Sequence, residues 1–253
     1  MPLGSVIIPS LGRSSVLRDC MESLWAQTNQ DFEIVTITEE GPLAALRNEG
    51  AKRARGKYYL FIDDDVVCEK QWFEAVMEGF SKGYAGISGP SYTTKEYQRN
   101  RDCFKFGGIP GLLSSRHPGT LSPWGQWSLA ATKEDCCYNG EVDYLEACNM
   151  AFKASAFNQV GGFDESYKGV GDWSEPDLCF RLRRYGHKLF FSRNARVEHR
   201  PSQSGAYKKR LVKCSRMENY ELFSQKFIKP TLRHKCYKQA LKTYFWLKER
   251  KYV

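Results

Sequence analysis

The chain has 253 residues, 42% of them apolar and 26% charged, as expected for one large soluble domain or one domain with an appendage. No run approaches the roughly 18–20 apolar residues that span a bilayer. The start "MPLGSVIIPS" lacks the pattern of a signal peptide, so the expected location is cytoplasmic. The formal charge of +9 is unevenly placed: residues 205–253 hold 14 Lys and Arg against 3 Asp and Glu, and the other 204 hold 24 against 26. The body is therefore near neutral and the tail carries a net +11. Such a tail calls for a negatively charged partner. The neutral body and the lack of a recognisable motif exclude nucleic acid. Nine scattered cysteines without a CxxC pair exclude a zinc site of the usual spacing and read as buried or incidental thiols.

In chain order, "GSVIIPS" is a β-branched strand stopped by Pro9. "SSVLRDCMESLWAQT" has apolar residues at helical spacing, with Ser14 or Ser15 as N-cap. "FEIVTIT" is a second strand, and "GPLAALRNEGAKRARG" a helix with Pro42 near its start and Gly56 past its end. "KYYLFIDDD" and "CEKQWFEAVMEGFSK" repeat the pair, and "AGISGPSYT" reads as a fourth strand. This alternation predicts right-handed βαβ units in a parallel sheet, with ligands at the strands' carboxyl ends. Residues 91–142, rich in Gly, Pro, Ser and aromatics, predict a long functional loop. Order resumes with a strand and short helix in "EVDYLEACNMAFKASAFNQVGGF", then a helix to Gly186 and a strand ending in "VEH". The tail predicts one or two basic helices broken near Pro230.

Asp63, Asp64 and Asp65 close an apolar strand, where adjacent carboxylates repel one another. They are either a solvated loop or a site for a cation or a phosphate-bearing ligand.

Five blocks in order, "SVIIPSLGR", "LAALRNEGAKRARGKYYLFIDDDV", "CNMAFKASAFNQVGGFDE", "WSEPDLCFRLRRYGHKL" and "VEH", resemble a family 2 glycosyltransferase over residues 4–202. The resemblance implies a GT-A fold: an α/β, mainly parallel mixed sheet flanked by helices. It further implies a domain over 1–204, with a nucleotide-binding half (1–90), an acceptor and catalytic half (91–204), and a basic helical extension at 205–253. The implied activity is inverting, metal-dependent hexosyl transfer from a nucleotide sugar, a UDP-sugar first, to a hydroxyl of a glycan or glycoconjugate. A diphosphate cannot sit on bare carboxylates, and a divalent cation bridges the two. By the resemblance Asp65, with Asp63 and His199, holds Mn²⁺ or Mg²⁺, while Asp63 and Asp64 lie near the ribose and the metal's waters.

The same resemblance makes Glu175 the base, with Asp177 and Asp172 as alternatives. Ser174 and Pro176 depart from the family pattern, and acids at a helix start also simply offset its dipole. Pro9, Ser10 and Leu11 would offer backbone groups to a base edge. Glu39 or Glu40, in a shortened loop, would approach base or ribose, and Arg47 base or phosphate. Trp124, Trp127 and Trp173 would stack on sugar, and Asn149 would bond an acceptor hydroxyl. His117 and His187 read as a loop and a strand-entry residue. The tail packs on its own domain or contacts an anionic membrane surface peripherally. Rival readings are a non-catalytic sugar-nucleotide or glycan-binding module and a nucleotidyltransferase, for which "PSLGRSS" is a poor phosphate loop.

Overall fold

The computed structural model describes residues 1–10, 12, 14–96, 117–124, 128, 130–201 and 215–249, so Leu11 and Trp127 lie outside the described residues. The first half follows the strand–helix alternation with one unexpected strand, β4, between β3 and α3: β1 (Gly4–Pro9), α1 (Ser14–Trp25), β2 (Phe32–Ile37), α2 (Leu43–Arg53), β3 (Tyr58–Ile62), β4 (Val66–Cys68), α3 (Trp72–Ser81) and β5 (Gly86–Ser88). Side chains alternate faces along a strand. Val6, Ile8, Leu60 and Ile62 thus pack with Cys20, Leu24, Trp72 and Phe73 of α1 and α3. Ile7 and Phe61 pack on the other face with Ala44 and Ala51 of α2. A sheet covered on both faces needs apolar residues at every position, and the runs "SVIIP" and "YYLFI" supply them. Gly50 lets α2 lie close on β1, since a Cβ there would stand 2.3 Å from Cγ2 of Ile7.

The fourth expected strand is two. β5 stays in the main sheet, and β6 (Ser91–Tyr92) joins a second, three-stranded sheet of order β4-β10-β6. The chain crosses between them at Gly89, where a Cβ would lie 2.0 Å from the Ala195 carbonyl oxygen. The single strand expected in "EVDYLEACNMAF" is also two, β7 (Gly140–Val142) and β8 (Asn149–Lys153). These are followed by α4 (Ala154–Gln159), α5 (Ser174–Arg184), β9 (Leu189–Phe191) and β10 (Val197–His199). The main sheet runs β2-β1-β3-β8-β5-β9-β7. Five strands share one direction; β8 and β7 oppose them. The sheet is therefore mixed and mainly parallel, flanked by helices.

Two C-terminal helices follow, α6 (Ser215–Phe227) and α7 (Leu232–Glu249), separated around Pro230. Tyr220 and Phe223 of α6 and Tyr237 and Leu241 of α7 form a buried cluster with Tyr167 and Trp173 of the preceding domain. The described part of the tail thus packs on its own domain. No helix among the described residues is long and apolar enough to cross a membrane.

Candidate active site

The three aspartates leave β3 at the carboxyl edge of the sheet, and they do not share one environment. Asp64 is buried and accepts a hydrogen bond from Ser10 Oγ at 2.7 Å, while the Ser10 amide donates to the Ile37 carbonyl at 2.8 Å. This pair stitches the ends of β1, β2 and β3 together. The Ser10 and Asp64 side chains bond each other, and Pro9 is buried beside them.

Asp63 and Asp65 are partly exposed, and with His199 they bring one ligand atom each to within 4.8 Å of the others. Asp65 Oδ1 lies 3.2 Å from His199 Nε2. Register explains the meeting: β4 pairs antiparallel with β10, setting His199 opposite Val66, and the Arg200 amide donates to the Asp65 carbonyl at 2.8 Å. Two carboxylates and an imidazole are a donor set that suits Mn²⁺ and accepts Mg²⁺ less well, so the residues present fit a divalent cation.

Arg47 links this cluster to the second one. It is 1% exposed on the inner face of α2. Its Nη1 donates to Glu175 Oε1 at 2.5 Å, and its Nη2 to Asp63 Oδ1 at 3.4 Å and to the Ala147 carbonyl at 3.1 Å. The guanidinium, expected at base or phosphate, lies among protein acceptors and the Phe163 ring. Burial pushes the Glu175 carboxyl above its ordinary range, against the pull of Arg47.

Asp177 does not stand with Glu175. It is fully buried and takes Arg181 Nε at 2.6 Å, Lys226 Nζ at 2.7 Å and the Tyr167 hydroxyl at 3.1 Å. Three donors already hold its carboxylate. Asp172 is likewise engaged, by Arg216 Nε at 3.0 Å. Glu39 is exposed past β2, where Arg53 donates to it at 2.6 Å and holds its carboxyl below the ordinary range.

The acceptor-side candidates have partners within the protein. Asn149 accepts from Trp72 Nε1 at 2.9 Å and donates to the Ala195 carbonyl at 2.8 Å, which commits both ends of a buried amide. Trp173 is buried and meets the Tyr220 ring edge-on at 5.3 Å, so it packs rather than presenting a face. Trp124 is half-buried, near Tyr237 at 6.2 Å, and its carbonyl accepts from the Tyr220 hydroxyl at 2.7 Å. Sequence reasoning missed Arg216, Asn219, Tyr220 and Lys226 of α6, all of which touch the segment around Glu175. A signal existed: Asn219, Tyr220, Phe223 and Ser224 recur at helical spacing, which places a polar residue on a core stripe. Near the aspartates, burial holds the Cys20 and Cys148 thiols up at about 12, as inert protonated groups.

A mixed α/β sheet with acids at its carboxyl edge and helices on both faces defines a GT-A-like protein. It is similar to the structure of GalNAc-T7 with UDP, GalNAc and Mn²⁺, with a TM-score of 0.61 at 11% identity over 89% of this chain and 48% of that one. It is similar also to the mannosyltransferase PcManGT of Pyrobaculum calidifontis in complex with GDP-Man and Mn²⁺, with a TM-score of 0.59 at 12% identity over 99% of this chain and 73% of that one. Identities this low speak for the fold alone.

Residues 37–161, which carry Arg47 and the three aspartates, match the family model of glycosyl transferase family 2, and it is to this family that the matched portion of the chain belongs. Curated relatives agree. The glucosyl-dolichyl phosphate glucuronosyltransferase of Haloferax volcanii is 22% identical over 76% of this chain and 66% of its own length. The chondroitin synthase of Pasteurella multocida is 23% identical over 74% of this chain and 23% of its own. The chain thus spans just under two thirds of the first relative and a smaller part of the second.

Proposed function

We propose that this protein is a metal-dependent, inverting hexosyltransferase that moves a sugar from a nucleotide sugar, a UDP-sugar first, to a hydroxyl of a glycan or glycoconjugate. The observation that carries this is the chain of contacts from Asp65 and His199 through Asp63 and Arg47 to Glu175. It ties a cation-binding donor set at the sheet edge to a buried carboxylate of raised pKa. A binding module needs no such base beside its metal site. When bound, Mn²⁺ on Asp63, Asp65 and His199 would neutralise charge on the donor's diphosphate.

The chain's own residues supply the rest. Glu175 takes the proton of the acceptor hydroxyl as that oxygen bonds to the anomeric carbon, while the bond to the diphosphate breaks. Arg47 holds Glu175 Oε1, orients the carboxylate and leaves Oε2 to the hydroxyl. Asp64 and Ser10 keep the strand ends in place beneath the donor. Residues 1–90 serve the donor and 91–204 the acceptor. Leu232 and Trp246, exposed on α7 among Arg233, Lys235 and Lys242, support a peripheral contact of the tail with an anionic membrane surface.

The test is a panel of nucleotide sugars with Mn²⁺ or EDTA, read as release of free nucleoside diphosphate. One donor is expected to be consumed in a metal-dependent way, with the rate lost to background in Asp65→Ala. If none of UDP, GDP or dTDP binds in the presence of Mn²⁺, the reading falls.

A further inference from the structure

The residue before the Ser174–Glu175 pair has an unusual backbone. Trp173, at φ 70°, is the one non-glycine residue with positive φ among those described. A bulky side chain rarely adopts this region and stays there only where its surroundings over-determine it. No side-chain hydrogen bond caps α5 at Trp173, and the local restraint is backbone only: the Gly171 amide donates to the Lys168 carbonyl at 3.1 Å and the Ser174 amide to the Gly171 carbonyl at 2.8 Å. Side-chain restraint is added by α6, more than forty residues later in the chain. Asn219 grips the backbone of Lys168 at two points, accepting from its amide at 2.9 Å and donating to its carbonyl at 3.0 Å. Arg216 pairs with Asp172 at 3.0 Å, with both side chains largely buried. Tyr220, fully buried, receives the edge of Trp173. Lys226 bonds both Asp164 and Asp177, bracketing the segment from either side.

We propose that α6 is a positioning clamp: Arg216 and Asn219 hold residues 168–175 in the strained turn that presents Glu175 to the acceptor. The inference rests on the transferase reading for its catalytic part. Their contacts fall on Asp172 and Lys168 of the base segment, so donor binding and turnover are expected to separate. The clamp also gives the basic tail a role inside the fold, since Arg216 and Lys226 neutralise acids of the base segment.

The test uses the full chain and three variants, Arg216→Met, Asn219→Ala and the conservative Arg216→Lys, each checked for an unchanged melting transition. Hydrogen exchange over residues 166–178 is expected to speed about tenfold or more in the first two, as for a locally released segment. UDP affinity with Mn²⁺ is expected to stay within about twofold. Nucleoside diphosphate release at saturating donor is expected to fall about tenfold, the size of effect that misplacing a reacting group produces. Arg216→Lys is expected to recover both exchange protection and rate. Unchanged exchange in Arg216→Met and Asn219→Ala overturns the clamp. Faster exchange with an unchanged rate overturns its catalytic role, as does an equal loss of UDP binding. A wild-type protein that releases nucleoside diphosphate from no donor overturns the transferase reading and the catalytic part with it, and the exchange measurement still decides the clamp. Should Asn219→Ala fail to fold, Arg216→Met, at a pair nearer the surface, carries the test.

Discussion

The two carboxylate groups of the site are held by opposite means. Asp63 and Asp65 sit where β3 ends, on backbone fixed by the β4–β10 ladder and the Arg200 amide, with Arg47 and His199 as their side-chain neighbours. Glu175 sits past a left-handed residue in a turn held by side chains from α2 on one side and α6 on the other. A sheet edge is rigid because each strand is paired along its length. A turn held by side chains depends on each partner separately. The donor side is therefore expected to tolerate remote substitutions, and the base side to be sensitive to them.

The largest break in that contrast is at Glu175. Glu175→Gln is expected to lower kcat by about 10²–10⁴-fold, as for loss of a general base, with UDP and Mn²⁺ still bound at wild-type affinity. In the wild type the raised pKa of Glu175 sets the sign of the pH profile. Only the ionised carboxylate takes a proton, so kcat rises with pH through a value above the ordinary 4.5. A rising limb at or below 4.5 counts against Glu175 as the base.

Arg47 sharpens the contrast because it touches both groups. Arg47→Met leaves Glu175 buried without its cation, which is expected to cost about 3–5 kcal/mol in urea unfolding. The limb of the pH profile is expected to move further toward alkaline pH. Destabilisation without that movement would reduce Arg47 to a core residue.

The smallest effect concerns the hold of α7 on α6. His234 is buried against Tyr220, and burial, then Lys238, keeps its pKa below 6.5. The unfolded chain therefore takes up the proton first. Stability from this site is complete above pH 6.5 and is lost as pH falls through the lowered native value. Melting is expected to drop slightly from about pH 7.5 to about pH 5.5 in the wild type, and less in His234→Leu. Equal drops would mean that the docking of α7 is indifferent to this ring.

The first three strand–helix pairs were legible because their apolar residues repeat at periods of two and near 3.6, and Pro42 and Gly56 mark a helix start and end. β7 and β8 were not separable, since strands of three and five residues carry too little pattern to count. Asp63 and Asp65 were legible as a cluster because they follow a strand directly. Their union with His199 agrees with the resemblance, and the cause lies in register. Arg47, expected at base or phosphate, lies between Ala44 and Ala51 on one helix stripe. That stripe faces the core, and a cation on it needs buried carboxylates as partners.

The sequence by itself determined the first three strand–helix pairs, though neither β4 nor the split of β5 from β6, and which chemical groups lie at the sheet's carboxyl edge. These follow from short-range periodicity and from where strands end. Only the tertiary structure decided which acids stay available. Asp64, Asp172 and Asp177 resemble Asp65 and Glu175 in the sequence, yet Ser10, Arg216 and Lys226 engage them from 54, 44 and 49 residues away. Such pairings are made by packing and leave no local pattern, because a buried charge settles wherever the fold brings it a partner.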